Sequence, residues 1–290
     1  IMNSTEGIAD LHMHTVASDG TCSVAERSQQ ARECGLDAIA ITDHDSVSAE
    51  ISNRQTVNNG IKLIAGVEVR ADVQGTKIEL LGYYIDPDDE RLDSMLTEIR
   101  DYRRDRNQRI LSRLRETTSF DRPYEDIRGE ADGILGRPHI ARILVEEGIV
   151  NSIDSAFDEY LANNKTAFIP MKRVPAHEVI DAIKHAGGVV SLAHPGRVRT
   201  ESIGDIIDEL VEVGLDGIEV QYPYDEAPTE GYAGVSVEDA AALAEKHGLL
   251  QTGGSDCHGP DSGKFRIGEV RVSGEQIKSL RNCADQRRPL

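Results

Sequence analysis

The chain has few of the residues that anchor a protein in a bilayer or cross-link a secreted protein through disulfides. It contains no tryptophan, 4% aromatic residues and four cysteines in 290 residues. The cysteines show no CxxC spacing, which disfavours a disulfide framework. No apolar run reaches the roughly 18 residues of a membrane span. The first residues lack the basic and apolar regions of a signal peptide, so we expect a cytoplasmic protein.

Positive charge is also scarce. The chain carries 32 Lys and Arg against 51 Asp and Glu, a formal net charge of −19. This balance argues against duplex nucleic acid and anionic membranes as partners. A small anionic substrate can still bind where metal ions and a few arginines reverse the local field. The composition leaves the oligomeric state open.

Short apolar runs alternate with amphipathic segments along most of the chain. The predicted strands cover residues 8–12, 38–42, 63–67, 78–84, 189–193, 217–220 and 250–253. The predicted helices cover residues 23–34, 46–59, 176–186, 203–213, 237–246 and 275–284. Such alternation is typical of an α/β protein with parallel strands, in which active sites lie at the carboxyl ends of the strands.

The alternation breaks between residues 91 and 167. This stretch predicts a long charged helix over 91–115, a polar loop through Gly136, and helices near 139–148 and 153–162. We expect a helical insertion that covers the C-terminal mouth of the barrel. The barrel would then comprise residues 1–90 and 168–290.

Five short motifs rich in histidine and carboxylate stand where predicted strands end. Their candidate ligands are His12, His14, Asp19, His44, Glu68, His194, Asp256 and His258. Imidazole and carboxylate are the ligands that Mn, Fe and Zn favour in proteins. The motif series therefore predicts a metal-dependent hydrolase.

The spacing within the motifs supports this interpretation. His12 and His14 are two residues apart, so on an extended strand both side chains point to one face. Glu68 closes an apolar strand, where a carboxylate is costly to bury unless it meets a cation. Each motif alone has a structural alternative; for example, Asp45 or Ser46 could simply cap the following helix. The five motifs together, all at strand ends, favour metal binding.

The motifs DLHMHT, SDG, TDHD, GVE, AHPG and GSDCHG resemble, in order, those of the polymerase-and-histidinol-phosphatase (PHP) family. The resemblance covers residues 8–259. The segment RPHIAR at 137–142 resembles the stand-alone branch that dephosphorylates nucleoside 3′,5′-bisphosphates, some members of which trim short RNA from the 5′ end. The resemblance implies a distorted seven-stranded (β/α) barrel with two to three divalent ions, Mn first and Fe, Zn or Mg as alternatives.

The resemblance also implies a ligand set for each ion. The first set is His12, His14, Glu68 and Asp256, and the second is Asp19, His44 and His258. The third is Glu68, His194 and Glu79. Glu79 stands where the branch usually has the histidine of an H-x-x-G pattern, and glutamate favours harder ions such as Mn or Mg. Asp19 and His44 are accordingly predicted catalytic residues.

Basic residues are the candidates for binding a small nucleotide substrate. They are also candidates for binding its products, an AMP-like nucleotide and phosphate. Arg103 and Arg106 share a helix face, although their segment also reads as a salt-bridged surface helix. Further predicted phosphate contacts are Arg137, Lys165 and Arg197. His139 is predicted to contact substrate or donate a proton, with capping of the next helix as the alternative.

Three other functions stay open from the sequence. A histidinol-phosphate phosphatase would act on a substrate without a second phosphate. An amidohydrolase-type deaminase also starts from an HxH strand, but such sites often use a lysine bridge, and no lysine ends a strand here. A non-catalytic, metal-stabilised PHP domain is the third.

Overall fold

The computed structural model describes residues 7–130, 135–226, 231–262 and 264–287. The chain divides into two compact units. The sheet unit comprises Ile1–Met95 and Arg173–Leu290, and the helical unit comprises Leu96–Lys172. Among the described residues, no helix is both long enough and apolar enough to cross a membrane.

One eight-stranded sheet forms the framework of the sheet unit. Its strands are β1 Ala9–Asp10, β2 Ala38–Ile41, β3 Gln55–Asn58, β4 Ile61–Val73, β5 Thr76–Tyr83, β6 Val189–Leu192, β7 Gly217–Gln221 and β8 Leu250–Gly253. The neighbours follow the order β1-β2-β4-β5-β6-β7-β8, and β3 pairs with β4 outside this path. The protein is therefore a mixed α/β protein, and closure of the strands into a barrel stays a prediction.

The expectation of parallel pairing throughout is wrong for the middle of the sheet. β4 pairs antiparallel with β3 and with β5, and β5 pairs antiparallel with β6. Only Gln74 and Gly75 separate β4 from β5, and both have positive φ, 48° and 87°. A two-residue connection of this kind joins antiparallel neighbours, because a parallel crossover needs a dozen residues or more.

The helix predicted over residues 46–59 is also wrong. Strand β3, Gln55–Asn58, occupies the end of this segment and pairs with β4. Asn59 and Gly60 connect the two strands with φ of 51° and 82°, the backbone that a tight hairpin requires. Neither Asp45 nor Ser46 therefore caps a helix here. Asn-Gly between two strands is a strong hairpin signal that outweighs the helical periodicity.

The helices of the chain lie close to their predicted ranges elsewhere, except that one of them falls in the predicted polar loop before Gly136. They are α1 Val24–Glu33, α2 Glu90–Thr117, α3 Tyr124–Glu130, α4 Arg137–Glu146, α5 Ile153–Ala156, α6 Ala176–His185, α7 Ile203–Glu212, α8 Val237–His247 and α9 Gly274–Asp285. Ser23, Ser236 and Ser273 each close a capping box at the start of a helix, which fixes where α1, α8 and α9 begin.

The helical unit has an apolar core of its own. Buried residues of α2 and α4, among them Leu114, Ile140 and Leu144, belong to one cluster. The predicted polar loop before Gly136 contains α3, whose Ile127 joins this core. Helix α5 continues into a π-helical turn over Phe157–Leu161. The predicted location of this segment over a barrel mouth stays a prediction.

Candidate metal centre

The ends of neighbouring strands bring the histidine motifs of the sheet unit together. The chain after β1 runs alongside the chain after β8, because the Leu11 N–H donates to Gly253 O at 3.1 Å and Met13 pairs with Cys257. His44, just beyond β2, pairs in the same way with Glu68. Four distant parts of the sequence therefore contribute to the centre, and Glu68 lies inside β4 rather than at the strand end that the sequence predicts.

Glu68 lies at the centre of the histidines. Its Oε2 is 3.4 Å from Nε2 of His12, 3.4 Å from Nε2 of His14 and 3.0 Å from Nδ1 of His44. Its Oε1 is 3.1 Å from Nε2 of His194. A carboxylate with both oxygens among four imidazoles has the geometry of a bridge between metal ions.

The ligand atoms fall into three groups, each with all atoms within 4.8 Å of one another. The groups are His14, Asp19, His44 and His258; His12, His14 and Asp256; and His12, Glu68 and His194. In the first group, Asp19 Oδ1 is 3.4 Å from His258 Nε2, and Oδ2 is 3.8 Å from His44 Nε2. These separations exceed a good hydrogen bond and match ligands on either side of an ion bound at about 2.0–2.2 Å.

Buried polar atoms without a hydrogen-bond partner indicate whether a metal ion fits among these side chains. Nε2 of His12, Nε2 of His14 and Oε2 of Glu68 are buried without a hydrogen-bond partner. Such atoms normally cost free energy, so native proteins pair nearly all of them. Because these three atoms face one another, one cation satisfies all of them. The nitrogen and oxygen donor set suits Mn, Fe or Zn.

The charges of the centre are strongly perturbed. Burial raises the pKa of Glu68, but the facing His44 and His12 rings outweigh it and hold that pKa well below its usual value. Burial lowers the pKa of His44, yet Glu68 and Asp19 raise it to about 10. Burial and the neighbouring His258 and His44 rings lower the pKa of His14 to about 3. The neutral His14 ring is ready to act as a ligand.

Glu219 supports the centre and has no role in the sequence prediction. Its Oε1 is 2.9 Å from Nδ1 of His12, and its Oε2 accepts the His194 backbone N–H at 2.8 Å. A carboxylate on the far nitrogen of a histidine fixes the ring orientation and leaves Nε2 for the metal. His194 has φ of 28°, a strained backbone that the Glu219 contact helps to hold. Glu219 lies in β7, two residues before the end of an apolar strand.

Two further buried carboxylates order the ligand loops. Asp43 accepts the Thr15 N–H, the Thr15 hydroxyl and the Ser18 hydroxyl at 2.5–2.7 Å, which fixes the turn that carries Asp19. Asp10 accepts the N–H and hydroxyl of Ser255, and its burial raises its pKa to about 6. Asp43 directly precedes His44 and Asp10 lies two residues before His12, and this proximity in the sequence is the signal that identifies them.

Asp256 has polar and cationic neighbours on its outer oxygen. Its Oδ2 accepts the Tyr222 hydroxyl at 3.0 Å and Lys264 Nζ at 3.3 Å. Arg197 Nη1 donates to the Tyr222 hydroxyl at 2.7 Å and lies 3.8 Å from Oδ2. About a third of each basic side chain is exposed. Of the two basic residues, Arg197 was predicted from the sequence and Lys264 was not.

Glu79 has different surroundings from the other predicted ligands. Its Oε1 accepts Nε and Nη2 of Arg70 at 3.2 and 3.0 Å, and Lys77 Nζ is 3.3 Å away. Its Oε2 is 3.5 Å from His194 Nε2. In the described part of the chain, Glu79 belongs to none of the three ligand groups.

The remaining predicted substrate residues lie in the helical unit. Arg106 Nε donates to Ile169 O at 2.7 Å, and Arg137 Nη1 donates to Leu161 O at 3.0 Å. His139 Nδ1 accepts the Gly136 N–H at 3.3 Å, which agrees with the alternative capping role. Arg103 lies in α2, and Lys165 lies in the exposed turn after α5. Their roles in substrate binding stay predictions.

Comparison with known proteins places this geometry in a family. Residues 10–213 match the PHP domain. The chain is 33% identical to the 5′-3′ exoribonuclease Rnm of Escherichia coli over 87% of its own length and 86% of the relative's. It is 28% identical to the 3′,5′-nucleoside bisphosphate phosphatase of Chromobacterium violaceum over 90% of both.

A solved structure agrees with these relatives. The crystal structure of a protein from Bifidobacterium adolescentis, named as a metal-dependent phosphoesterase, superposes with a TM-score of 0.75 at 31% identity. The match covers 95% of this chain and 96% of the other. The family and the clustered ligands together identify the chemistry. The chain belongs to the PHP family and is a metal-dependent hydrolase that acts on phosphoric ester bonds.

Proposed function

We propose that this chain removes the 3′-phosphate of a nucleoside 3′,5′-bisphosphate and releases a 5′-monophosphate and phosphate. The observation that carries the proposal is the pairing of the buried ligand groups with the basic side chains of Arg197 and Lys264 at Asp256. Clustered metal ligands prepare the attack on phosphorus, and the adjacent basic groups favour a dianionic phosphate.

Eight of the nine predicted ligands are the proposed metal holders. They are His12, His14, Asp19, His44, Glu68, His194, Asp256 and His258. When bound, divalent ions supply Lewis-acid stabilisation of phosphate oxygens and a water activated for attack at neutral pH. Mn comes first because the family resemblance implies it; the imidazole donors also suit Fe and Zn, and the carboxylates also suit Mg.

The chain's own groups bind and orient the phosphate. Arg197 and Lys264 present N–H donors beside the metal ligands, where charge-assisted hydrogen bonds to phosphate oxygens are strong. The Tyr222 hydroxyl ties Arg197 to Asp256 and so fixes the guanidinium relative to the ligand groups. Glu219 holds the His12 ring through its Nδ1. These residues keep the phosphate and the ligands in one fixed arrangement, which is the main protein contribution to phosphoryl transfer.

Short RNA is a second candidate substrate, favoured by the likeness to the exoribonuclease. One centre serves both substrates if it recognises a nucleotide at a 5′ end and cleaves the ester at its 3′ oxygen. The bisphosphate is then the smallest substrate of the same reaction.

The test is a comparison of phosphate or nucleotide release from four compounds with added Mn. The panel is an adenosine 3′,5′-bisphosphate, an adenosine 3′-monophosphate, a 5′-phosphorylated RNA trimer and histidinol phosphate. The proposal expects the highest kcat/KM for the bisphosphate. A preference for histidinol phosphate, or no turnover of any nucleotide by metal-loaded protein, contradicts it.

A further inference from the structure

Glu79 is paired with cations that the chain itself supplies. Arg70 and Glu79 are direct partners in the register of β4 and β5, so the strand pairing sets them side by side. The guanidinium donates through both Nε and Nη2 to Oε1, and Lys77 Nζ lies 3.3 Å from the same atom. Oε1 of Glu79 therefore already has cationic partners within the chain, which the oxygen of an unoccupied metal ligand would lack.

The second oxygen of Glu79 lies farther from His194 than the nearer oxygen of Glu68 does. Oε2 is 3.5 Å from His194 Nε2, whereas Glu68 Oε1 is closer to that nitrogen, at 3.1 Å, and hydrogen-bonds to it. His194 therefore has its partner in Glu68.

The charge near Glu79 disfavours an additional ion. Arginine stays protonated in proteins, so Arg70 keeps a full positive charge next to Glu79. A divalent ion between His194 and Glu79 would meet repulsion from Arg70 and would compete with it for Glu79.

We infer that Glu79 is the anchor of Arg70 and not a metal ligand, so that this chain binds two divalent ions through the other eight predicted ligands and the Arg70 guanidinium is the cation at Glu79. The inference concerns the metal centre alone and stands apart from the identity of the nucleotide. It departs from the third ion that the family resemblance implies.

The experiment counts metal ions per chain without reference to activity. Metal-free protein is dialysed against Mn²⁺, and bound Mn is measured by elemental analysis and by calorimetric titration. The variants are Glu79→Gln and the double variant Arg70→Ser/Glu79→His. The matched control is Arg173→Ser, which removes an exposed arginine from Asp72 on the same strand.

We expect two Mn ions per chain in wild type, in Glu79→Gln and in the control, with affinities that differ by less than the roughly tenfold typical of a lost ligand contact. The double variant should bind a third ion. Three ions in wild type with loss of one in Glu79→Gln overturns the inference, and so does a folded double variant that still binds two. If the double variant does not fold, wild type and Glu79→Gln decide alone.

Discussion

Asp19 and Glu79 are carboxylates with histidine neighbours at two places in the same sheet unit, yet their surroundings differ. The oxygens of Asp19 lie 3.4–3.8 Å from nitrogens of His14, His44 and His258, too far for good hydrogen bonds. Glu79 Oε1 has short contacts with Arg70 at 3.0 and 3.2 Å. A metal ion from solution would complete the contacts of Asp19, whereas Arg70 already supplies a cation to Glu79.

The difference shows that residue type alone does not make a ligand. Carboxylate oxygens that have only long contacts with neighbouring imidazoles favour metal binding, because a bound ion supplies the partner that the side chains do not. A carboxylate with an arginine in register has no such deficit. Sequence motifs identify the residue type, and the pairing decides its role.

Replacement of a residue in the ligand group that contains Asp19 should have the largest effect on activity. His14 belongs to two of the three ligand groups. In His14→Ala, we expect kcat/KM for phosphoester hydrolysis to fall by more than about 100-fold, because even an outer-sphere change costs about 10–100-fold in metal affinity or activity. Steady-state kinetics at saturating Mn and elemental analysis measure both losses.

His177→Ala is the matched control for that variant. His177 is an exposed histidine in α6, outside the ligand groups of the described chain. Its activity and metal content should equal those of wild type. Full activity of His14→Ala with unchanged metal content contradicts the assignment of His14.

Metal removal should destabilise the wild-type fold. An ion at about 100 times its Kd contributes about 2.7 kcal/mol to the free energy of unfolding. At about 2.1 cal/mol/K of unfolding entropy per residue, that corresponds to a Tm increase of roughly 4 °C for this chain. Differential scanning calorimetry with chelator and with Mn measures the shift, and equal Tm values in both conditions contradict a metal-filled centre.

Glu219→Gln should weaken metal binding while preserving the shape of the site. The amide keeps a hydrogen-bonding side chain near His12 Nδ1 but loses the charge that fixes the ring. We expect the Kd for Mn to rise by about 10–100-fold. Activity should recover at high Mn concentration, and an unchanged Kd excludes the orienting role.

Arg197→Ala and Lys264→Ala should act on substrate more than on metal. A hydrogen bond to a charged group contributes about 1.5–3 kcal/mol, and partial exposure favours the low end, so we expect KM to rise about tenfold. Elemental analysis should show wild-type Mn content. Loss of metal with unchanged KM in either variant assigns that residue to support of Asp256 instead.

Arg137→Ala should have the smallest effect on activity of these variants, and it tests the proposed contact with a second phosphate. If Arg137 contacts a second phosphate, the preference for bisphosphate over monophosphate should shrink several-fold, with the monophosphate rate unchanged. Its existing contact with Leu161 O and the rings of Phe157 and Phe168 could equally be structural. The ratio of the two kcat/KM values measures this, and an unchanged ratio rejects the phosphate contact.

The ends of the strands could be predicted from the sequence, but most of the residues that support the ligands there could not. The two-residue spacing of His12 and His14 and the apolar runs before His44 and His194 are local patterns, so the sequence could predict these positions. The hairpin signal Asn59-Gly60 predicts a strand at β3, but the helical periodicity of residues 46–59 competes with that signal. Glu219 and Lys264 acquire their partners only through the fold, 207 residues from His12 and 8 from Asp256.

Glu79 illustrates the limit most clearly. Its position predicts a ligand, and only the register of β4 with β5 shows that Arg70 lies beside it. The antiparallel pairing that creates this contact was itself not predicted, so the error in topology and the ambiguity at Glu79 have one origin.

Titration of Mn²⁺ into metal-free wild-type protein tests the central claim most directly. Bound Mn and phosphate release from the bisphosphate are measured in the same samples. We predict no release without metal and release that rises in step with bound Mn until two ions per chain are present. Release by the metal-free protein, or fully loaded protein that releases no phosphate, would contradict the account.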